Sequence, residues 1–220
     1  MTAACAVRDP LDEAVRRLRA GSLVAFATET VFALGADAHS PAAVGRLCAW
    51  KGRDAGRAVS VLVSGLAAAE ALGARVSPEA RLLAEAFWPG PLTLILPVAG
   101  GRFAPGVARA DGAVGFRCSP HPIASALARR LEAALAGPVT ATSLNRTGQP
   151  PARDRAEALR ACEGGESGPW LLDGAGPDAG AETPSSVVDL TGPEPALLRE
   201  GPVDAAAIAA ALARREARRA

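Results

Sequence analysis

The chain has 220 residues, of which 49% are hydrophobic and 21% charged, and its 24 basic and 23 acidic side chains leave a net charge of +1. That reads as a soluble, globular chain long enough for a substantial core in one large domain or two small ones. The charge balance gives no argument for bulk nucleic-acid binding, no apolar stretch is long enough to span a bilayer, and no secretory signal opens the chain, so the cytoplasm is the expected compartment.

The elements follow in order. Asp9-Pro10 caps a helix that ends at Gly21, and residues 23–29 read as a buried strand. Ser40-Pro41 opens a helix to about Trp50. Residues 59–63 are a strand, and Ser77-Pro78 opens a helix closed by Trp88-Pro89-Gly90. Strands over 92–98 and 113–118 precede a helix from His121-Pro122 to about Leu135. Residues 139–144 are a strand followed by a polar loop, then a helix over 155–162. Short strands at 170–172, 186–189 and 196–199 come with turns between them, which predicts antiparallel pairing. A helix rich in Ala and Arg runs from about Asp204 to 219. The sum is a single domain over 1–220 with a mixed α/β sheet, its motif-bearing core at about 10–203.

Cys5, Cys48, Cys118 and Cys162 form no CxxC pair, so a zinc ribbon or thioredoxin-type site is disfavoured. With two histidines and no H-E-x-x-H, no protein-built metal site is expected. Neither a Walker A loop nor a G-x-G-x-x-G fingerprint is present, so a nucleotide must be held another way. What recurs is hydroxyl and cationic groups where strands end: Thr28 and Thr30, Arg117, Ser143 with Asn145, Ser185, and Arg199. Lys51 and Arg53 end the helix after the first strand. Lys51 is the only lysine in a chain where arginine is the default cation, which suggests a specific need. Several cations converging on one hollow suit a polyphosphate, and hydroxyls suit ribose, carboxylate or phosphate oxygens.

The order of these groups resembles the YrdC-like family, the L-threonylcarbamoyladenylate synthases. Ala27 to Ala38 is similar to its PTETVYGLGADA opening, and Lys51-Gly52-Arg53 to its K-x-R element. Trp88 to Thr93 matches W-P-G-P-L-T, and Arg117 to Pro122 resembles R-x-P-x-H-P. Ser143 to Gly148 resembles the S-A-N-x-S-G loop, Pro184 to Asp189 the P-S-T-V-V-D strand, and Leu198 to Gly201 the final L-R-x-G. The resemblance covers about residues 10–203. It implies a twisted mixed sheet with flanking helices and a basic concave cavity. It also implies synthesis of L-threonylcarbamoyl-AMP and pyrophosphate from ATP, L-threonine and bicarbonate, for the t6A37 modification of tRNA. Carried over, Thr30, Arg117 and Ser185 would hold L-threonine. Lys51, Arg53, Ser143, Asn145 and Arg199 would hold ATP, with Lys51 and Arg53 as the catalytic pair and Mg²⁺ arriving with ATP. Transfer to a tRNA threonylcarbamoyltransferase is implied, and RNA contact is left open.

Departures from the pattern mark what to inspect. Asp54 to Ala58 replaces the usual P-x-x-N-P, Leu62 stands where many members carry His, and Leu144 replaces a small Ala, adding bulk beside the expected adenylate. The TSL and REG segments are similar to the YciO branch. Two other readings therefore stay open: a non-catalytic RNA- or nucleotide-binding paralogue, and a carbamoyl-adenylate enzyme with another acceptor. The resemblance is to the short form without an extra C-terminal domain.

Overall fold

A computed structural model describes residues 9–53, 58–100, 102–164, 168–174 and 183–217. The 54–58 departure and Cys5 lie largely or wholly outside the described residues.

Seven helices are described: α1 (Pro10–Arg19), α2 (Pro41–Lys51), α3 (Leu66–Ala71), α4 (Pro78–Phe87), α5 (Pro122–Ala133), α6 (Arg155–Cys162) and α7 (Ala205–Ala217). The strands are β1 (Val24–Phe26), β2 (Ala33–Gly35), β3 (Ser60–Leu62), β4 (Leu92–Pro97), β5 (Ala113–Arg117), β6 (Thr140–Ser143), β7 (Trp170–Leu171), β8 (Ser186–Asp189) and β9 (Ala196–Arg199). Local chemistry sets the helix starts. Asp9, Ser40, Ser77, His121 and Asp154 each accept a backbone N–H from the first turn, and Pro follows four of them.

The sheet runs β7-β1-β2-β6-β3-β5-β4-β8-β9 and mixes parallel with antiparallel pairs. β8 and β9 pair antiparallel, as the turns predict. β7 does not join them: it lies at the other edge, parallel to β1. Turn residues signal that the chain reverses, but which strand receives it is a long-range choice. Here Trp170 is drawn to α1, where the Arg17 guanidinium lies 5.0 Å from its ring centroid. Strand β2 and helix α3 are additions to the sequence reading. The Ala-Leu-Gly of β2 has little strand propensity; pairing on both sides makes the strand. Gly35 is required there, because a Cβ would sit 2.5 Å from Val139 Cγ2.

The sheet's two faces differ. On one, Val61, Leu94, Leu96, Phe116 and Val188 pack with the apolar sides of α2, α4 and α7. On the other, α1 and α5 cover Val24, Phe26 and Leu62. Beyond them that second face lies open, and the cavity forms there. Among the described residues no helix is long and apolar enough to cross a membrane.

Candidate active site

The cavity has a volume of about 1120 Å³. Its floor is the sheet itself. Ala33, Ser143, Ala141, Ser60, Gly115, Arg117, Thr93, Ile95, Val187 and Arg199 all line it. The register explains why: Ala33 lies opposite Ser143, Ser60 opposite Ala141, Thr93 opposite Arg117 and Val187, and Val187 opposite Arg199. Alternate residues face one side of a sheet, so seven strands contribute to one surface. Small residues in mid-floor leave the room. The sequence reading placed the groups at strand ends, and Arg117, Ser143 and Arg199 are the last residues of β5, β6 and β9, with Ser185 immediately before β8.

All eight expected site residues line this one cavity. Five cations do so: Lys51, Arg53, Arg109, Arg117 and Arg199. No carboxylate does so among the described residues.

One group of residues lies where α2 meets the loop after β6. Gly52 caps α2 in the left-handed region (φ 64°), and its N–H and that of Arg53 return to Ala49 and Cys48. That turn brings Lys51 and Arg53 to the cavity. Lys51 is buried, and its Nζ donates to Ser143 O (2.5 Å), Asn145 O (3.0 Å) and Asn145 Oδ1 (3.2 Å). An ammonium has three donors, so all are spent on this loop. Asn145 is equally engaged: Oδ1 also accepts from Ser143 Oγ, and Nδ2 donates to Arg146 O and Gln149 O. Thr147 N–H returns to Lys51 O at 2.8 Å, and the Arg146 guanidinium stacks 4.4 Å over Trp50. Burial, then the charge of Arg53, lowers the Lys51 pKa to about 8. The oxygens around Nζ oppose that shift by holding the proton.

The second group lies at β1, β5 and β8. Thr28 Oγ1 donates to Val31 O (2.6 Å) and contacts Thr30 Oγ1 (3.1 Å), closing the turn that presents Thr30. Arg117 is 6% exposed; its Nη2 donates to Glu29 Oε1 and lies 3.4 Å from Thr30 Oγ1. Arg117 Nε is buried with no hydrogen-bond partner among the described residues. Ser185 is held three ways: Thr93 Oγ1 meets its Oγ at 2.9 Å, Arg199 Nε donates to its carbonyl at 2.9 Å, and Arg199 Nη2 reaches its Oγ at 3.3 Å. Burial, then the charge of Arg117, lowers the pKa of Arg199. Both guanidinium groups belong to residues that line the same cavity.

The departures find places too. Leu144 does not crowd the cavity; it is 1% exposed and belongs to the core, its N–H bonded to Phe32 O. Leu62 packs with α1 and α5. Cys48 and Cys118 are buried, and burial raises the Cys118 pKa to about 11, so its thiol stays protonated. His121 caps α5, its Nδ1 accepting from Ile123 N–H. The sequence reading gave Glu29 and Arg109 no role. Glu29 could have been found as the acid between two threonines. Arg109 could not, in a chain rich in arginine.

The family model for Sua5, YciO and YrdC proteins, described as "Telomere recombination", matches residues 16–201. The chain belongs to this family. The threonylcarbamoyl-AMP synthase of Chromohalobacter salexigens is 36% identical over 182 residues, covering 83% of this chain and 93% of that protein. The Bacillus subtilis enzyme of the same name is 34% identical over 194 residues, covering 88% of this chain but 54% of its own length. Among solved structures, Pyrococcus abyssi Sua5 complexed with L-threonine superposes with a TM-score of 0.73 at 34% identity, covering 86% of this chain and 53% of that one. Escherichia coli YciO shares the fold, with a TM-score of 0.70 at 24% identity.

Proposed function

We propose that this chain, as a single domain, is a threonylcarbamoyl-AMP synthase acting on MgATP, L-threonine and bicarbonate. One observation carries the reading: a hydroxyl-and-arginine corner suited to an amino-acid carboxylate shares a cavity with the cationic K-x-R end of α2. Identities of 34–36% to enzymes of that name favour catalysis over a non-catalytic paralogue.

In this reading Thr30, Arg117 and Ser185 receive L-threonine. Arg117 pairs with its carboxylate, and the buried Nε donor gains an acceptor. Arg53 and Arg199 face the phosphates. Lys51, Ser143 and Asn145 build the loop on which the nucleotide rests. The threonine nitrogen bonds to the bicarbonate carbon and water leaves. A carbamate oxygen then attacks the α-phosphorus, and pyrophosphate departs with the bonding electrons. The protein positions two anions and spreads charge as pyrophosphate leaves. No group of three or more potential metal ligands occurs among the described residues. The carboxylate-free lining fits Mg²⁺ entering on the phosphates as part of the substrate. The product then passes to an enzyme that transfers the threonylcarbamoyl group to tRNA. Pyrophosphate release tests this: it must require ATP, L-threonine and bicarbonate together, and release indifferent to threonine would refute it.

A further inference from the structure

Arg117 and Arg199 both line the cavity, and Arg117 is nearly sealed from water. A buried guanidinium is costly unless an anion accompanies it. Glu29 is that anion. One carboxylate oxygen accepts from Arg117 Nη2 and the other from Ser119 Oγ. Ser119 is 2% exposed, and its Oγ also accepts from His121 N–H at 3.2 Å, at the start of α5. The carboxylate is therefore fixed at both oxygens. The link is long-range: it joins the turn after β1 to the segment after β5, and three strands lie between those two in the sheet. The turn does not need it for closure, because Thr28 already bonds Val31 O.

We propose that Glu29, backed by Ser119, is a positioning residue that holds Arg117 in register to receive the substrate's carboxylate. Glu29 engages Nη2 and leaves the Nε donor without an acceptor among the described residues. It also keeps Arg117 from swinging toward the phosphates, which belong to the other cations. This inference rests on the assignment of Thr30, Arg117 and Ser185 to L-threonine.

The test uses the full chain and its Glu29→Gln and Ser119→Ala variants. Pyrophosphate release is measured with L-threonine and ATP varied separately, together with calorimetric L-threonine binding and thermal melting. Glu29→Gln keeps the shape and removes the charge, so the KM for L-threonine should rise about tenfold, the loss of one charge-assisted bond. The KM for ATP should stay within about twofold, a split that general loosening of the fold would not give. Ser119→Ala should shift the same constant in the same direction by less, and it carries the test if Glu29→Gln fails to fold. Unchanged L-threonine binding in both variants, or equal rises in both KM values, overturns the positioning role while leaving the functional reading intact. Wild-type protein that binds no L-threonine overturns that reading, and this inference with it.

Discussion

Replacing Lys51 by Met separates two ways a buried lysine can serve a nucleotide site. The structure gives its ammonium three acceptors, all in residues 143–145, so the direct consequence falls on that loop. Met keeps the apolar stem and strands the carbonyl of Asn145 without its donor, while Ser143 O still accepts from Asn145 N–H at 3.1 Å. Asn145 Oδ1 still has Ser143 Oγ, and Thr147 N–H still reaches the backbone of residue 51. The stranded acceptor costs about 1–3 kcal/mol, partly offset by no longer burying a charge, for a net loss of about 1–2 kcal/mol. At about 2–4 °C per kcal/mol for a chain of this size, the melting temperature should fall by roughly 2–8 °C. Since the loop carries Ser143 and Asn145, the KM for ATP should rise more than about tenfold, with a smaller effect on L-threonine. Melting by circular dichroism and pyrophosphate release measured on the same preparation give both numbers. An ATP defect with an unchanged melting temperature would refute the reasoning, because the ammonium would then act on the phosphates and not through the loop.

Protonation of Lys51 adds a pH signature. Its folded pKa of about 8 lies below the ordinary 10.5. Between those values the unfolded chain binds more protons, so this group's contribution to stability rises with pH across that window. ATP affinity should move the other way and fall as pH passes about 8, because the neutral amine loses a donor and its charge; a Lys51→Met variant that keeps the same pH profile would contradict this. Ser186→Ala should destabilise by about 2–4 kcal/mol, read by urea unfolding. Ser186 Oγ is fully buried and bonds Val203 O (2.6 Å), Gly201 N (2.9 Å) and Val203 N (3.1 Å). Gly201→Ala places a Cβ 2.3 Å from Pro184 O and 2.7 Å from Ser186 N, so the 184–186 segment must shift. The expected results are a loss of about 1–3 kcal/mol and a raised KM for L-threonine through displaced Ser185.

The helices were legible because their starts are written locally, as Ser40-Pro41 and Ser77-Pro78 illustrate. The site residues were legible through motif order, and all of them line one cavity. What the sequence hid was long-range. The address of β7 beside β1 depends on packing against α1, and β2 exists because β1 and β6 flank it. The bulk of Leu144 suggested a crowded adenylate site, but its residue type cannot say which way it points, and it points into the core. The roles within the site were hidden for the same reason. Lys51 looks like a phosphate ligand in sequence, and only its three acceptors mark it as part of the loop's framework.

The central claim is that one cavity joins an amino-acid corner to a nucleotide corner. Isotope-labelled bicarbonate offered to the purified protein with MgATP and L-threonine tests it most directly. The account predicts label in an adenylate that also contains threonine, with one pyrophosphate released per adenylate formed. Pyrophosphate without labelled adenylate, or no turnover from a folded protein that binds both substrates, would contradict it.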